Sequence, residues 1–366
     1  MQRFYFFLRV LLFNIIFYSS TSAQYLKPFF DKDEYRELLL ISAKTNTPDS
    51  VVFKIPPPAQ HKMIYRSQVM GLDNRWDLWM NKKGNIAVIS IRGTTGKPES
   101  SLENLYAAMV PAAGKLILDK TNTFTYNLAP DSTAAVHVGW LLSMAILSKD
   151  IIPKIDSLYK TGINDFILMG HSQGGAINYL LTAYLYDLQR QQKLPQDIRF
   201  KTYCSAAPKP GNLYFAHYYE SITDNWAFNV VNSADWVPET PISIQTLNDF
   251  NSTNLFKNTR NEIKKLKFPK NIILKRIYNE LDKPTKKAQK KYEKYLGEMT
   301  SRIIRKKLPD FIPPEYCQSN NYVRTGRTVV LFADDDYYTV FPKYSSDISI
   351  HHNFDAYLFL LEKKTN

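Results

Sequence analysis

Two rhythms of apolar and polar positions run along this chain of 366 residues. Lys32–Ala43 (KDEYRELLLISA) spaces its apolar residues at helical intervals behind an acidic first turn, which predicts a helix. Arg75–Asn81 and Asn85–Ile91 alternate or are rich in β-branched and aromatic residues around Lys82-Lys83-Gly84, which predicts a hairpin. Phe166–Gly170 (FILMG) is a short apolar run, followed by a glycine-rich turn and a helical stretch, Ala176–Gln192. Two more strands are expected at Phe200–Ser205 and Trp226–Asn232, with a helix at Tyr214–Ser221 between them. Arg327–Phe332 and Tyr337–Phe341 read as a closing hairpin whose tip is Asp334-Asp335-Asp336. Strands alternating with helices after residue 85 predict an α/β fold with a mostly parallel sheet and helices on both faces. Such sheets carry their chemistry in loops at the carboxyl ends of the strands.

Two segments depart from that alternation. Near the start, Arg3 and Arg9 precede the apolar run Val10–Tyr18, then small residues up to Ala23. This is the layout of a secretory signal covering residues 1–23, with the mature chain starting near Gln24. Arg9 and Asn14 interrupt the run, which leaves it short of the roughly 20 apolar residues a membrane span needs. Export to the periplasm or the extracellular space is therefore expected, with one domain over 24–366. The second departure is a Lys-rich, helix-like insertion at about 245–315, including Thr285–Leu296 and lacking a matching strand.

Charge sharpens the second departure. The chain carries a formal +13. Residues 251–310 hold 18 Lys+Arg against 6 Asp+Glu, a net of +12, so most of the protein has no basic character. A solvated helical decoration and a contact with an anionic membrane or lipid surface are both open for this segment; nucleic acid is not the expected partner of an exported protein. Apolar content of 44% excludes a mainly disordered chain. Two cysteines, Cys204 and Cys317, cannot build a disulfide framework or a cysteine zinc site, although one bridge between them is open. The aspartate triplet reads as a polar tip rather than a metal site, and neither metal nor cofactor is expected.

The strongest chemical signal is Gly170-His171-Ser172-Gln173-Gly174, set between an apolar strand and a helix. A sharp turn there lifts a serine hydroxyl clear of the sheet, and the flanking glycines Gly170 and Gly174 admit the close approach this needs. A serine needs an adjacent base held by a third group. His61 precedes the sheet, His171 adjoins the serine within the turn, and His137 and His217 flank helices, which leaves His351 and His352. Between serine and histidine, Asp235 follows the strand FNVVN at its carboxyl end, whereas Asp187, Asp197 and Asp224 belong to a helix, its exit and a strand entry.

Seven blocks, in order, resemble the class 3 lipase family of α/β-hydrolases, which includes fungal triacylglycerol lipases and plant phospholipase A1-like members. They are Ala87–Thr94 (AVISIRGT), Ser100–Pro111 (SSLENLYAAMVP), Val136–Trp140 (VHVGW), Ile167–Gly175 (ILMGHSQGG), Ser205–Asn212 (SAAPKPGN), Val230–Pro238 (VVNSADWVP) and His352–Leu358 (HNFDAYL). The resemblance implies a secreted serine carboxylester hydrolase acting on lipid esters, with Ser172, Asp235 and His352 as the triad. Its tyrosine spacing favours His352 over His351. It further implies backbone donors at Thr94 and Gln173 for the oxyanion, and a lid within 96–130. Leu102, Leu105, Tyr106, Met109 and Val110 would form the apolar face of that lid. Gln173 stands where the family more often has leucine or methionine. Two other functions remain compatible with these residues: an esterase for short soluble esters, and a catalytically silent binding protein working through its basic segment. Acyl-chain preference and oligomeric state are not legible.

Overall fold

The computed structural model describes residues 24–47 and 55–364; the expected signal, 1–23, lies outside them. Helix α1 (Lys32–Asn46) comes first, with Asp31 capping it by accepting from the Glu34 N–H. Strands β1 (His61–Arg66), β2 (Trp76–Asn81) and β3 (Ala87–Ile91) form an antiparallel meander, with the β2–β3 hairpin where the alternation predicts it. After α2 (Pro98–Leu105) the chain makes two small antiparallel pairs. Strand β4 (Met109–Pro111) pairs with β7 (Ala135–His137), and β5 (Ala113–Ile117) with β6 (Thr123–Asn127). Helix α3 (Val138–Lys160), β8 (Asp165–His171), α4 (Gln173–Arg190), β9 (Arg199–Ser205), α5 (Leu213–Thr223) and β10 (Ala227–Asn232) continue the alternation.

The insertion then runs through α6 (Thr259–Lys265), α7 (Lys270–Glu293), a π-helical turn over Lys294–Met299 and α8 (Thr300–Lys307). Strand β11 (Arg327–Leu331), α9 (Asp335–Val340) and α10 (Phe354–Lys363) close the chain. The main sheet has the order β1-β2-β3-β8-β9-β10-β11, and from β3 onward every pairing is parallel.

Alternate residues of the central strands feed two cores, which is why both faces need helices. Ile89, Ile91, Phe166 and Leu168 pack with Leu141 and Leu142 of α3 and Leu180 and Leu181 of α4. Val88, Ile167 and Met169 point the other way, onto Leu38 and Leu39 of α1 and Tyr357 and Leu361 of α10. The central strands are buried along their length and so read as continuous apolar runs in the sequence.

Three expectations change. The closing hairpin is not one: β11 adds in parallel to β10, and residues 335–340 are helical. Asp334 accepts from the Tyr337 N–H, and Asp335 and Asp336 fill a first helical turn, where negative charge is favourable. The aspartate triplet is thus a helix start, although the tyrosine-rich run after it has strand propensity. The expected apolar lid face is also divided. Helix α2 ends at Leu105, which is 52% exposed, while Met109 and Val110 are buried in or beside β4; the helix turns Ser100 and Glu103 inward instead. His137, read from the sequence only as flanking a helix, is fully buried. It stacks on Trp140 at 3.6 Å, and burial pushes its imidazole down to about 3. Cys204 and Cys317 are free thiols. Among the described residues no helix is long and apolar enough to cross a membrane.

Candidate active site

The loops after β3, β8 and β10 open at the same end of the sheet, and each carries one of the expected residues: Thr94, Ser172 and Asp235. Ser172 sits at φ 60°, ψ −131°, a conformation L-residues rarely adopt, between β8 and α4. The turn is held by the Ser172 N–H donating to the Ser205 carbonyl at 2.9 Å. It fits only because Gly170 and Gly174 lack side chains: a Cβ on Gly170 would overlap the Gly174 backbone, and one on Gly174 the Ile91 carbonyl. Among the described residues the Ser172 side chain makes no hydrogen bond of its own, and Gln173, first in α4, has no intrahelical partner for its N–H.

His352 Nδ1 lies 2.8 Å from Asp235 Oδ2, and this carboxylate is buried. The same oxygen accepts from the Tyr357 hydroxyl at 2.8 Å, while Oδ1 accepts from the Val237 N–H at 2.9 Å. Three donors therefore fix the carboxylate, and the bond to Nδ1 leaves Nε2 of His352 as the free ring nitrogen. His351 is occupied elsewhere: its Nδ1 accepts from Tyr337 at 2.8 Å, and Tyr337 in turn accepts from Asn232. Of the two adjacent histidines it is His352 that lies on the aspartate.

His171 joins the serine turn to the histidine loop. Its Nε2 donates to the His352 carbonyl at 2.8 Å, and its Nδ1 receives the Ser205 hydroxyl at 3.0 Å, which itself accepts from Tyr35 at 2.6 Å. The two imidazole rings lie 4.9 Å apart. Burial, and then the neighbouring His352, holds the His171 pKa well below its ordinary value, so His171 stays neutral with its proton on Nε2. Sequence reasoning set His171 beside the serine within the turn and gave it no task. The histidine is visible in the motif, but its partners come from residues 205 and 352.

A second buried network underlies the Thr94 loop. The side chain of Gln173 accepts from Thr94 Oγ1 at 2.9 Å and from Ser100 Oγ at 3.3 Å, and it donates to Glu103. Glu103, fully buried, also accepts from Asn74. Burial pushes its carboxyl up to about 8. Asn104 donates to Thr94 Oγ1 at 2.9 Å and accepts from Trp140 Nε1 at 2.9 Å. The Thr94 hydroxyl has its proton committed to Gln173. Neither Glu103 nor Asn104 stood out in the sequence, because a polar face on a short helix ordinarily points to solvent.

The sequence pattern of the family Lipase (class 3) matches residues 88–244, and with that the resemblance read from the chain is shown. The matched segment, residues 88–244, is similar to the class 3 lipases. It takes in the serine turn and the Asp235 loop but ends before His352. Among solved structures the chain is similar to the Rhizomucor miehei lipase propeptide complex, with 20% identity and a TM-score of 0.45 over 60% of this chain and 68% of that one. Lipase II from Rhizopus niveus gives 22% identity and a TM-score of 0.42, over 57% and 74% of the two chains. The lipase from Rhizopus microsporus var. chinensis gives 19% and 0.42, over 62% and 76%. No curated protein matches the chain. In the class 3 lipase segment, six of the seven blocks are included, the first lacking only its opening residue, and the closing His352–Leu358 block lies outside.

Proposed function

We propose that this protein is an exported serine carboxylester hydrolase acting on lipid esters through an acyl-enzyme, with Ser172 as nucleophile, His352 as base and Asp235 as its orienting carboxylate. The observation that carries the reading is the Asp235–His352 pair at 2.8 Å, held through His171 against the turn that bears Ser172. In the first step Ser172 Oγ bonds to the ester carbonyl carbon while its proton passes to His352 Nε2. The carbonyl electron pair moves onto oxygen, which takes hydrogen bonds from the backbone N–H groups of Thr94 and Gln173. Collapse of this intermediate expels the alcohol, protonated by His352, and leaves the acyl group on Ser172. Water, deprotonated by the same imidazole, then attacks the acyl carbon, the bond to Ser172 Oγ breaks as the imidazole returns its proton to that oxygen, and the acid is released. Asp235 stabilises the charged imidazole and fixes its tautomer, and each oxyanion donor contributes about 3–4 kcal/mol.

A lipid ester rather than a short soluble one is favoured by apolar surface at the rim. Leu105, next to the Asn104 that holds Thr94, is exposed, and so are Trp236 beside Asp235 and Ile348 in the loop before His352. Trp236 Nε1 donates to the Ile348 carbonyl, which joins two of the three into one surface. Export rests on the signal-like segment 1–23 and is tested by N-terminal sequencing of the exported chain, expected to start near Gln24.

Ser172→Ala is expected to lower turnover of a short p-nitrophenyl ester by about 10⁴-fold or more with the fold intact. A fluorophosphonate probe is expected to label Ser172 in the parent chain and nothing in the variant. Full activity in the variant would remove the serine from the reaction, and failure of the probe would favour the catalytically silent binding protein.

A further inference from the structure

We infer that α7 and the turn before it form a docking surface for an anionic lipid bilayer. This reaches beyond the hydrolase reading, since it concerns a segment remote from the triad in sequence and outside the class 3 lipase match. Ile273, Ile277 and Leu281 stand four residues apart on α7 and so share one face, and all three are exposed, Leu281 to 67%. Leu274 adjoins them, and Phe268, 78% exposed, leads into the helix. Asp282, Gln289 and Tyr292 are the positions α7 turns inward. The helix therefore turns mostly polar residues inward and presents its aliphatic residues to the outside, the reverse of an ordinary surface helix.

Charge names the occupant. Beyond Leu281 the helix lines a groove of about 480 Å³ with Lys283, Lys287, Lys290, Lys291 and Lys294. Arg260 and Lys286 also line it, but both pair with the buried Asp282, at 2.7 and 2.9 Å. The five lysines carry no ion-pair partner among the described residues, within a segment of net +12. A second copy of this chain would meet that charge with its own, and a nucleic acid offers nothing to a stripe of isoleucine and leucine. A bilayer containing acidic headgroups satisfies both: phosphates meet the lysines while the aliphatic stripe enters the acyl boundary. The insertion also abuts the candidate site. Lys307 pairs with Glu99 of α2 at 2.6 Å, and the Ala108 N–H donates to the Leu296 carbonyl. Docking through α7 would accordingly bring the lipid surface to the side of the molecule where α2 holds Thr94.

The test is co-sedimentation of the full chain carrying Ser172→Ala, which does not consume lipid, with phosphatidylcholine vesicles with and without phosphatidylglycerol. The expected result is at least about tenfold tighter binding to the acidic vesicles at low salt, most of it lost near 0.5 M salt. Joint replacement Ile273→Gln, Ile277→Gln and Leu281→Gln is expected to weaken binding about tenfold at an unchanged thermal midpoint, as is Lys287→Gln with Lys290→Gln and Lys291→Gln. Equal binding to neutral and acidic vesicles, or parent-like binding by either triple variant, overturns the inference. So does retention of duplex DNA in place of vesicles, or a dimer that the aliphatic triple variant dissolves. Because binding is read without turnover, none of these outcomes bears on the hydrolase reading, which stands or falls on the Ser172 probe.

Discussion

Gln173 serves the proposed reaction twice. Its backbone N–H, the first of α4, is the proposed oxyanion donor, and its side chain holds the threonine proposed as the second. The leucine usual at this position in class 3 lipases would keep the first role and lose the second. It would also take one hydrogen-bond partner from Glu103 and one from the Thr94 hydroxyl, leaving them Asn74 and Asn104. Gln173→Leu is therefore expected to lower kcat on a soluble ester by about tenfold with little change in KM, since the lost interaction forms with the oxyanion rather than with bound substrate. An equal change confined to KM would show that Gln173 shapes binding instead. The Ser172, Gly170 and Gly174 pattern was legible from residue types alone, because the turn's sterics permit few substitutes. The task of His171 was not, because its partners are contributed by β9 and by the loop before α10.

At the scale of elements, periodicity located β2, β3, β8, β9, β10, α1, α4 and α5, each buried on a face or along its whole length. It misread residues 337–341, where strand propensity and helix capping compete. Capping prevails because Asp334 both satisfies the Tyr337 N–H and pairs with Lys363, tying α9 to the helix that follows His352. Asp334→Ala is expected to lower the midpoint of chemical denaturation, mostly through the lost cap, since the ion pair is partly exposed and contributes less. A neutral result would mean the tertiary contacts of Tyr337 alone hold the helix. The expected apolar face of residues 102–110 is divided for a related reason: spacing alone cannot tell that α2 turns a hydrogen-bonded serine and glutamate toward the body, nor that Met109 enters a strand.

Across the whole molecule, the cost of burying Glu103 makes stability depend on pH. Its folded pKa, about 8, lies above the ordinary 4.5, so between these values the native state binds the proton that the unfolded chain has released. Stability from this group therefore falls as pH rises from about 4.5 to about 8 and is level beyond. Glu103→Gln, which cannot ionise, is expected to raise the thermal midpoint by several degrees at pH 8 and to converge on the parent near pH 4.5. A constant difference across that range would show that the carboxyl is not the source.

The sequence by itself determined strands β2, β3, β8, β9 and β10 of the sheet, the serine turn, the aspartate at a strand end and the segregation of charge into residues 251–310. These are local consequences of periodicity, glycine sterics and composition, each readable within a window of a few residues. Only the tertiary structure decided which histidine meets Asp235, what Gln173 and Glu103 hold, and which face of α7 is left uncovered. Those depend on hydrogen bonds and contacts between segments tens to nearly two hundred residues apart, such as His171 with His352, and no local pattern encodes who stands opposite whom.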